Sequence, residues 1–320
     1  MTPLQIPILL ITFNRLDTVK KVFETIAQVS PTRLYISSDG PRHGNLDDPD
    51  SIHAVRNYLN SSITWDCEVK TLFHSENLGC GIAPAQAITW FFEHEPMGII
   101  LEDDCLPSLS FFSYCQDLLH RYENDERIFC ISGHNPLGIT KTKNNSSYYF
   151  TRVPHIWGWA TWRRAWEKFS FKINNYDSFK KNKVLSQIFP CWHNVQNFWI
   201  DTFDKISKKT DSIDFWDYQW TYANFSNDSI CIVPSRNMIS NIGFDNNYTH
   251  TNDPSSFFNN QERYEINSII HPKKFYLHKK AMKKINIMSF GIEPLPLYLC
   301  KKLVPSFLKP SLKKFKQIFP

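Results

Sequence analysis

An α/β fold with a mainly parallel sheet flanked by helices is predicted by three observations. Apolar runs and amphipathic stretches alternate through roughly the first 130 residues, the pattern of strand–helix–strand units. The runs are apolar at successive positions rather than at every second one, which suits strands covered on both faces. Of the 320 residues, 42% are hydrophobic and 15% aromatic, enough for a sizeable core.

The elements follow in order. IPILLITF (6–13) is the first apolar strand run. LDTVKKVFETIAQV then places Leu16, Val19, Val22, Phe23 and Ile26 at helical spacing, with Asp17 in a capping position. RLYISS (33–38) is a second strand, 48–60 a helix, and CEVKTLFH (67–74) a third strand. GIAPAQAITWFFEHE (81–95) reads as a helix with Pro84 in its first turn. MGIILED (97–103) is a fourth strand, LSFFSYCQDLLHRYEND (109–125) a helix and IFCISG (128–133) a fifth strand. Residues 134–147 are polar and loop-like. Residues 148–225 are rich in aromatics and read as short strands and helices; in them Trp159, Trp162 and Trp166 sit at helical spacing. SICIVP (229–234) is a late strand and NIGFDNNYTHTNDPSS a loop. No internal repeat is present.

Composition narrows the class. No apolar run reaches the ~18 residues that span a bilayer. PILLITF has neither the basic leader nor the small-residue cleavage site of a signal peptide, so a cytoplasmic protein is expected. The eight cysteines are scattered without metal-ligand spacing and are expected to be reduced. From Ile266 to Pro320 there are twelve lysines and one acid, Glu293. That segment carries +11, which leaves −6 of the chain's +5 for the preceding 265 residues. The expected organisation is one domain over 1–265, in halves 1–133 and 134–265, followed by a basic amphipathic segment over 266–320.

Ligands of a parallel α/β sheet sit beyond the carboxyl ends of its strands. Polar residues cluster at those ends: Thr12, Asn14 and Arg15 after the first strand, Asp39 to Arg42 after the second. His74, Asn77 and Gly79 follow the third, and Glu102, Asp103 and Asp104 the fourth. In an extended chain Glu102 and Asp104 share one face and Asp103 the other. Adjacent acids repel unless a cation lies among them, and a hard divalent ion prefers carboxylate oxygens. The alternative is that Asp104 caps a helix starting near Leu106, with Pro107 in its first turn.

The ordered blocks ITFNR, SSDGPR, ENLGCG and ILEDDCLPS resemble those of GT-A fold glycosyltransferases. More narrowly, the sequence is similar to bacterial family-two-like transferases related to N-acetylglucosaminyltransferase I, with an EDD triplet as the DXD-type motif. The resemblance covers residues 6 to about 252, most specifically in the EDD, WGWATWRRAW and NIGF…THT blocks. It implies a GT-A nucleotide-diphospho-sugar transferase fold, a UDP-sugar donor and a manganese or magnesium ion. Asp104 is then the metal ligand, with Glu102 and Asp103 toward the ribose and sugar. Arg15 touches the nucleotide, Asp39 reads the uracil, and His74 lies near the base. Thr12, Asn77 and Gly79 line the same rim. The half before 134 binds the nucleotide sugar and the aromatic-rich half after it binds the acceptor.

An inverting transfer needs one general base for the acceptor hydroxyl. DFWDYQW offers Asp217, with Asp214 as alternative; a helix-capping acid is the competing reading of Asp217. His250 in NYTHT is a candidate second metal ligand. Flat rings stack on pyranose faces, so Trp157 and Trp159, beside Gly158, are expected to touch substrate, with Trp162 and Trp166 in the core.

The final residues interleave Lys301, Lys302, Lys309, Lys313, Lys314 and Lys316 with Leu303, Phe307, Leu308, Leu312, Phe315 and Phe319. That composition suits the interface of an anionic membrane, hence a peripheral position on the inner membrane face and a glycan or lipid-linked acceptor. No nucleic-acid-binding signature accompanies it. Two other readings compete with the transferase. One is a sugar nucleotidyltransferase, which normally carries a glycine-rich loop where this chain has TFNRLDT. The other is a non-catalytic carbohydrate-binding protein.

Overall fold

The computed structural model describes residues 3–208, 215–244 and 257–292. The first half runs β1 (Ile8–Thr12), α1 (Leu16–Val29), β2 (Arg33–Ser38), α2 (Asp48–Ser62), β3 (Glu68–Phe73), α3 (Gly79–His94), β4 (Met97–Glu102), β5 (Cys105–Pro107), α4 (Ser110–Arg121) and β6 (Ile128–Ser132). The second runs β7 (Tyr148–Thr151), β8 (Trp159–Trp162), α5 (Arg163–Trp166), α6 (Tyr176–Lys181), α7 (Val184–Ile188), α8 (His193–Lys208), α9 (Asp217–Ser226), β9 (Ile230–Pro234), β10 (Ile239–Asn241) and α10 (Lys279–Ser289).

Eight strands form one sheet in the order β3-β2-β1-β4-β8-β6-β9-β7, and β5 pairs with β10 apart from it. β3, β2, β1 and β4 are parallel, as is β6 with β9. β8 runs antiparallel between β4 and β6, and β7 antiparallel on the edge. The chain builds outward from β1 through β2 to β3 and then returns to lay β4 on the other side of β1. That reversal is a topological switch point, where a crevice opens beyond the carboxyl ends of the strands.

Successive residues of the central strands feed opposite cores, as a two-residue side-chain period requires. Ile8, Leu10, Ile99 and Leu101 pack with Val19, Phe23, Phe111 and Leu118 of α1 and α4. Leu9, Ile11 and Ile100 pack with Ile88 and Phe91 of α3 and with Trp159, Trp216 and Trp220. A third cluster around Phe179, Trp199, Phe203, Tyr222 and Phe225 joins α6 to α9 in a helical lobe.

Three expectations change. Trp159 and Trp162 lie on strand β8, and only Trp166 is helical, because backbone pairing with β4 and β6 prevails over local helical spacing. α3 starts at Gly79, which leaves Pro84 in the second turn rather than the first. Cys105–Pro107 is a strand rather than a helix start, since it pairs with the distant Ile239–Asn241. Part of the basic C-terminal segment is packed: Ala281, Met282 and Ile285 of α10 are buried, Ala281 and Ile285 against Tyr149 and Val233. No helix among the described residues is long and apolar enough to cross a membrane.

Candidate active site

Glu102 ends β4 in register with Ile11 of β1, at the switch point. Strand geometry stops there. Asp103 and Asp104 do not alternate as an extended chain requires: both carboxylates bind one nitrogen, Nη2 of Arg15. The Asp104 contact is 2.9 Å. The second Asp103 oxygen accepts the Phe13 N–H at 3.2 Å. Arg15 and Phe13 follow β1, so the two strands at the switch point are joined through these acids. Burial opposes the Arg15 charge, but Asp103 and Asp104 outweigh it and hold the guanidinium above its ordinary range.

One guanidinium does not neutralise three acids. Burial first, then the charges of Asp104 and Asp103, push the Glu102 carboxyl up to about 8; Arg15 pulls it down and Asp217 adds to the rise. Asp217 is the first residue of α9, whose Trp216 and Trp220 pack in the same layer as Ile100. Glu102 follows Ile100 by two residues and shares its side of β4. The second half of the chain thus places a further negative charge, Asp217, where it acts on Glu102. Asp103 is also raised, by burial and Asp104 against the opposing pull of Arg15.

Gly243, in the loop after β10, closes this site from above. A Cβ there would lie 2.3 Å from Asp104 Oδ2 and 2.7 Å from Arg15 Nη1, so only glycine permits the approach. The neighbouring Ile242 N–H donates to the Asp104 carbonyl at 2.9 Å.

The second and third strand ends are tied together through Asp39. Both Asp39 oxygens are used within the protein: Oδ1 accepts the N–H groups of Gly40 and Leu78, and Oδ2 those of Gly79 and the Asn77 side chain, at 2.8–3.1 Å. Asp39 therefore anchors the start of α3 rather than presenting a free carboxylate, and Asn77 and Gly79 serve the same staple. Thr12 donates its hydroxyl to the Ser37 carbonyl at 3.0 Å. His74 extends the β2–β3 ladder through its N–H to the Ser38 carbonyl, and its Nε2 is buried without a hydrogen-bond partner among the described residues.

Trp157 is partly exposed, 4.6 Å from the His134 ring and 6.1 Å from Phe244, the neighbour of Gly243. Through Phe244 it borders the loop that carries Gly243. Trp159 is 0% exposed and stacked on Trp216. Its expected contact with substrate is excluded by that burial, since β8 turns it into the core. Trp162 and Trp166 are buried as expected. His250 and Asp214 lie outside the described residues.

Sequence reasoning missed Asp48, a 1% exposed acid that joins two rim loops. It accepts from Asn14 at 2.8 Å, from the Arg42 N–H at 3.0 Å and from the Arg42 guanidinium at 2.7 Å twice. The signal available was the position of LDDPD between two rim motifs. Arg42 holds the Asp48 carboxyl down to about 2, below its ordinary value of 3.8. A depressed folded-state value stabilises above the unfolded value and loses that contribution as pH falls through the folded one. The melting difference between wild type and Asp48→Asn is therefore constant from neutral pH to about 4, shrinks below it and vanishes near about 2. Thermal melts across that range check it; a difference undiminished at about pH 2.5 overturns it.

No protein-family profile matches the chain, and no curated protein does. Similar solved structures include apo-UDP-glucose pyrophosphorylase, at 10% identity over 74% of this chain and 93% of that one, TM-score 0.35. The apo form of mouse xyloside xylosyltransferase 1 matches at 8% identity over 69% and 81%, TM-score 0.30. HddC from Yersinia pseudotuberculosis matches at 8% identity over 50% and 78%, TM-score 0.32. Such distant likenesses assign no activity. What the fold and site define is an α/β protein with a crowded, arginine-bridged acidic cluster at its topological switch point.

Proposed function

We propose that this chain is an inverting, metal-dependent glycosyltransferase of GT-A type that moves a sugar from a UDP-sugar to a glycan or lipid-linked acceptor. The observation that carries this reading is Asp103 and Asp104 gathered on Arg15 beside Glu102 at the switch point, with the Glu102 carboxyl raised by burial and then by the charges of Asp104 and Asp103.

The donor set fits a hard divalent ion. All the acids offer oxygen, and their excess of negative charge calls for a further cation. Among the described residues no three His, Cys, Asp or Glu side chains are grouped to hold a metal. The protein would thus supply Asp104, with His250 a proposed second ligand, and the diphosphate and water would complete the shell, as is usual for magnesium. A manganese or magnesium ion held there would supply positive charge to offset that of the departing UDP. Arg15 keeps Asp103 and Asp104 oriented at the mouth of the crevice, and Glu102 shapes the donor side between them and α9. Asp217 takes the proton of the acceptor hydroxyl as its oxygen bonds to the anomeric carbon; the bond to the diphosphate breaks and UDP leaves with the electron pair. Trp157 provides a flat face for a sugar ring beside the cluster.

A thermal melt tests the reading. UDP with manganese is expected to raise the melting temperature by roughly 5 °C, and UDP or manganese alone by much less. Equal melts in all conditions would overturn it.

The lysine-rich end beyond residue 292 lies outside the described residues, and we assign it to an anionic membrane surface on its composition. Full-length protein is expected to co-sediment with phosphatidylserine liposomes while a chain ending at Tyr298 stays in the supernatant. Equal pelleting of the two sinks that assignment.

A further inference from the structure

A cavity of about 450 Å³ opens between α9 and the chain from Glu167 to Val184. α9 contributes Gln219, Tyr222, Ala223 and Ser226, spaced as one helical face. Asp217 precedes Gln219 by two residues, about 200° around the helix axis. The cavity therefore lies on the flank of α9 turned away from the acid cluster.

Gln219 is the unusual member of its wall. The residue is 0% exposed, and neither its Oε1 nor its Nε2 has a hydrogen-bond partner among the described residues. Buried amides are nearly always paired, and one with both ends unpaired calls for a ligand group carrying a donor and an acceptor together. A sugar hydroxyl is such a group.

The remaining lining agrees. Asn174, Asn175, Ser178 and Asn182 bring neutral amides and a hydroxyl from around α6. Asn175 holds a left-handed conformation, φ 61°, that asparagine tolerates better than most residues and that turns the chain into α6. Phe169, Phe179 and Tyr222 supply flat apolar rings. The Tyr222 hydroxyl is already used, donating to the Asn174 carbonyl at 3.0 Å, which locks the ring in the wall. Charged residues at the edge, Glu167, Lys168 and Lys172, are of both signs and select no strong anion. Paired polar groups beside rigid rings recognise the alternating hydroxyl edges and apolar faces of a pyranose. The volume falls in the range of small-molecule sites.

We infer that this cavity is a saccharide-binding site, separate from the acid cluster, that takes a neutral pyranose residue with Gln219 as its hydrogen-bonding anchor. The inference stands on the chemistry of the lining and does not require that the acid cluster transfer sugar. A chain that held a glycan here would keep it close to α9 while the opposite flank of that helix is at work.

Saturation-transfer NMR on the full chain, without nucleotide or metal, tests this with glucose, galactose and N-acetylglucosamine as probes. At least one is expected to bind saturably. Gln219→Leu, which removes both amide functions, and Asn182→Trp, which plugs the mouth from an exposed position, are each expected to weaken that binding about tenfold or more. Melting curves report whether each variant is folded; if Gln219→Leu is not, Asn182→Trp alone decides. No saturable signal from any probe up to about 50 mM, or unchanged binding in the folded variants, overturns the inference. Failure of manganese-dependent UDP binding, by contrast, would sink the transferase reading and leave this one standing.

Discussion

Asp104→Ala is expected to abolish manganese-dependent UDP binding and to reduce transfer by on the order of 10³-fold, the several kcal/mol that a metal contributes to a departing phosphate. Asp104 is the member of the triplet we assign as ligand: it is partly exposed, whereas Asp103 is buried. The substitution also leaves Arg15 with Asp103 alone and removes the largest charge acting on Glu102, so the Glu102 carboxyl titrates lower in the variant. Calorimetric titration of UDP with and without manganese is the measurement. Retained metal-dependent binding would show that Asp104 serves only to pin Arg15.

Asp217→Asn separates binding from chemistry. The amide keeps the shape of the carboxylate and cannot take a proton, so transfer is expected to fall by roughly 10²–10⁴-fold while UDP binding changes less than about twofold. Asp217 also stands at the start of α9, where a negative charge favours the helix by about 0.3–1 kcal/mol. A small loss of melting temperature is therefore expected alongside. If that loss is the whole effect and turnover persists, Asp217 is a helix-terminal acid and the base lies elsewhere, with Asp214 the next to replace. The two variants differ in which step they stop, and this makes the pair informative: Asp104→Ala fails before chemistry, Asp217→Asn at it.

The first half of the fold was legible because it is built from local periodicity. β2 occupies 33–38 as read, and α1 follows the spacing of Val19, Val22, Phe23 and Ile26. A buried parallel strand and its covering helix each carry their own pattern, and neither needs knowledge of the other. The aromatic half was less legible. Trp159, Trp162 and Trp166 satisfy a helical spacing, but their side chains are as well buried from a strand between β4 and β6, and only the partners decide between the two. The error at Trp159 follows from that: a residue taken as flanking the substrate is an interior wall between sheet and α9.

The sequence by itself determined that acids would stand at the end of a buried strand, that an arginine would follow the first strand, and that the N-terminal half would be a parallel α/β layer. These are matters of composition and period along a continuous segment. Only the tertiary structure decided how the acids are used. It brought Asp103 and Asp104 onto one guanidinium, placed Asp217 where its charge acts on Glu102, and lowered Gly243 onto the pair. It also tied Asp39 to the start of α3 through both carboxylate oxygens. The reason is physical: charge pairing and close backbone approach depend on distances between segments a hundred or more residues apart, and those distances are fixed by sheet order and core packing rather than by any local pattern.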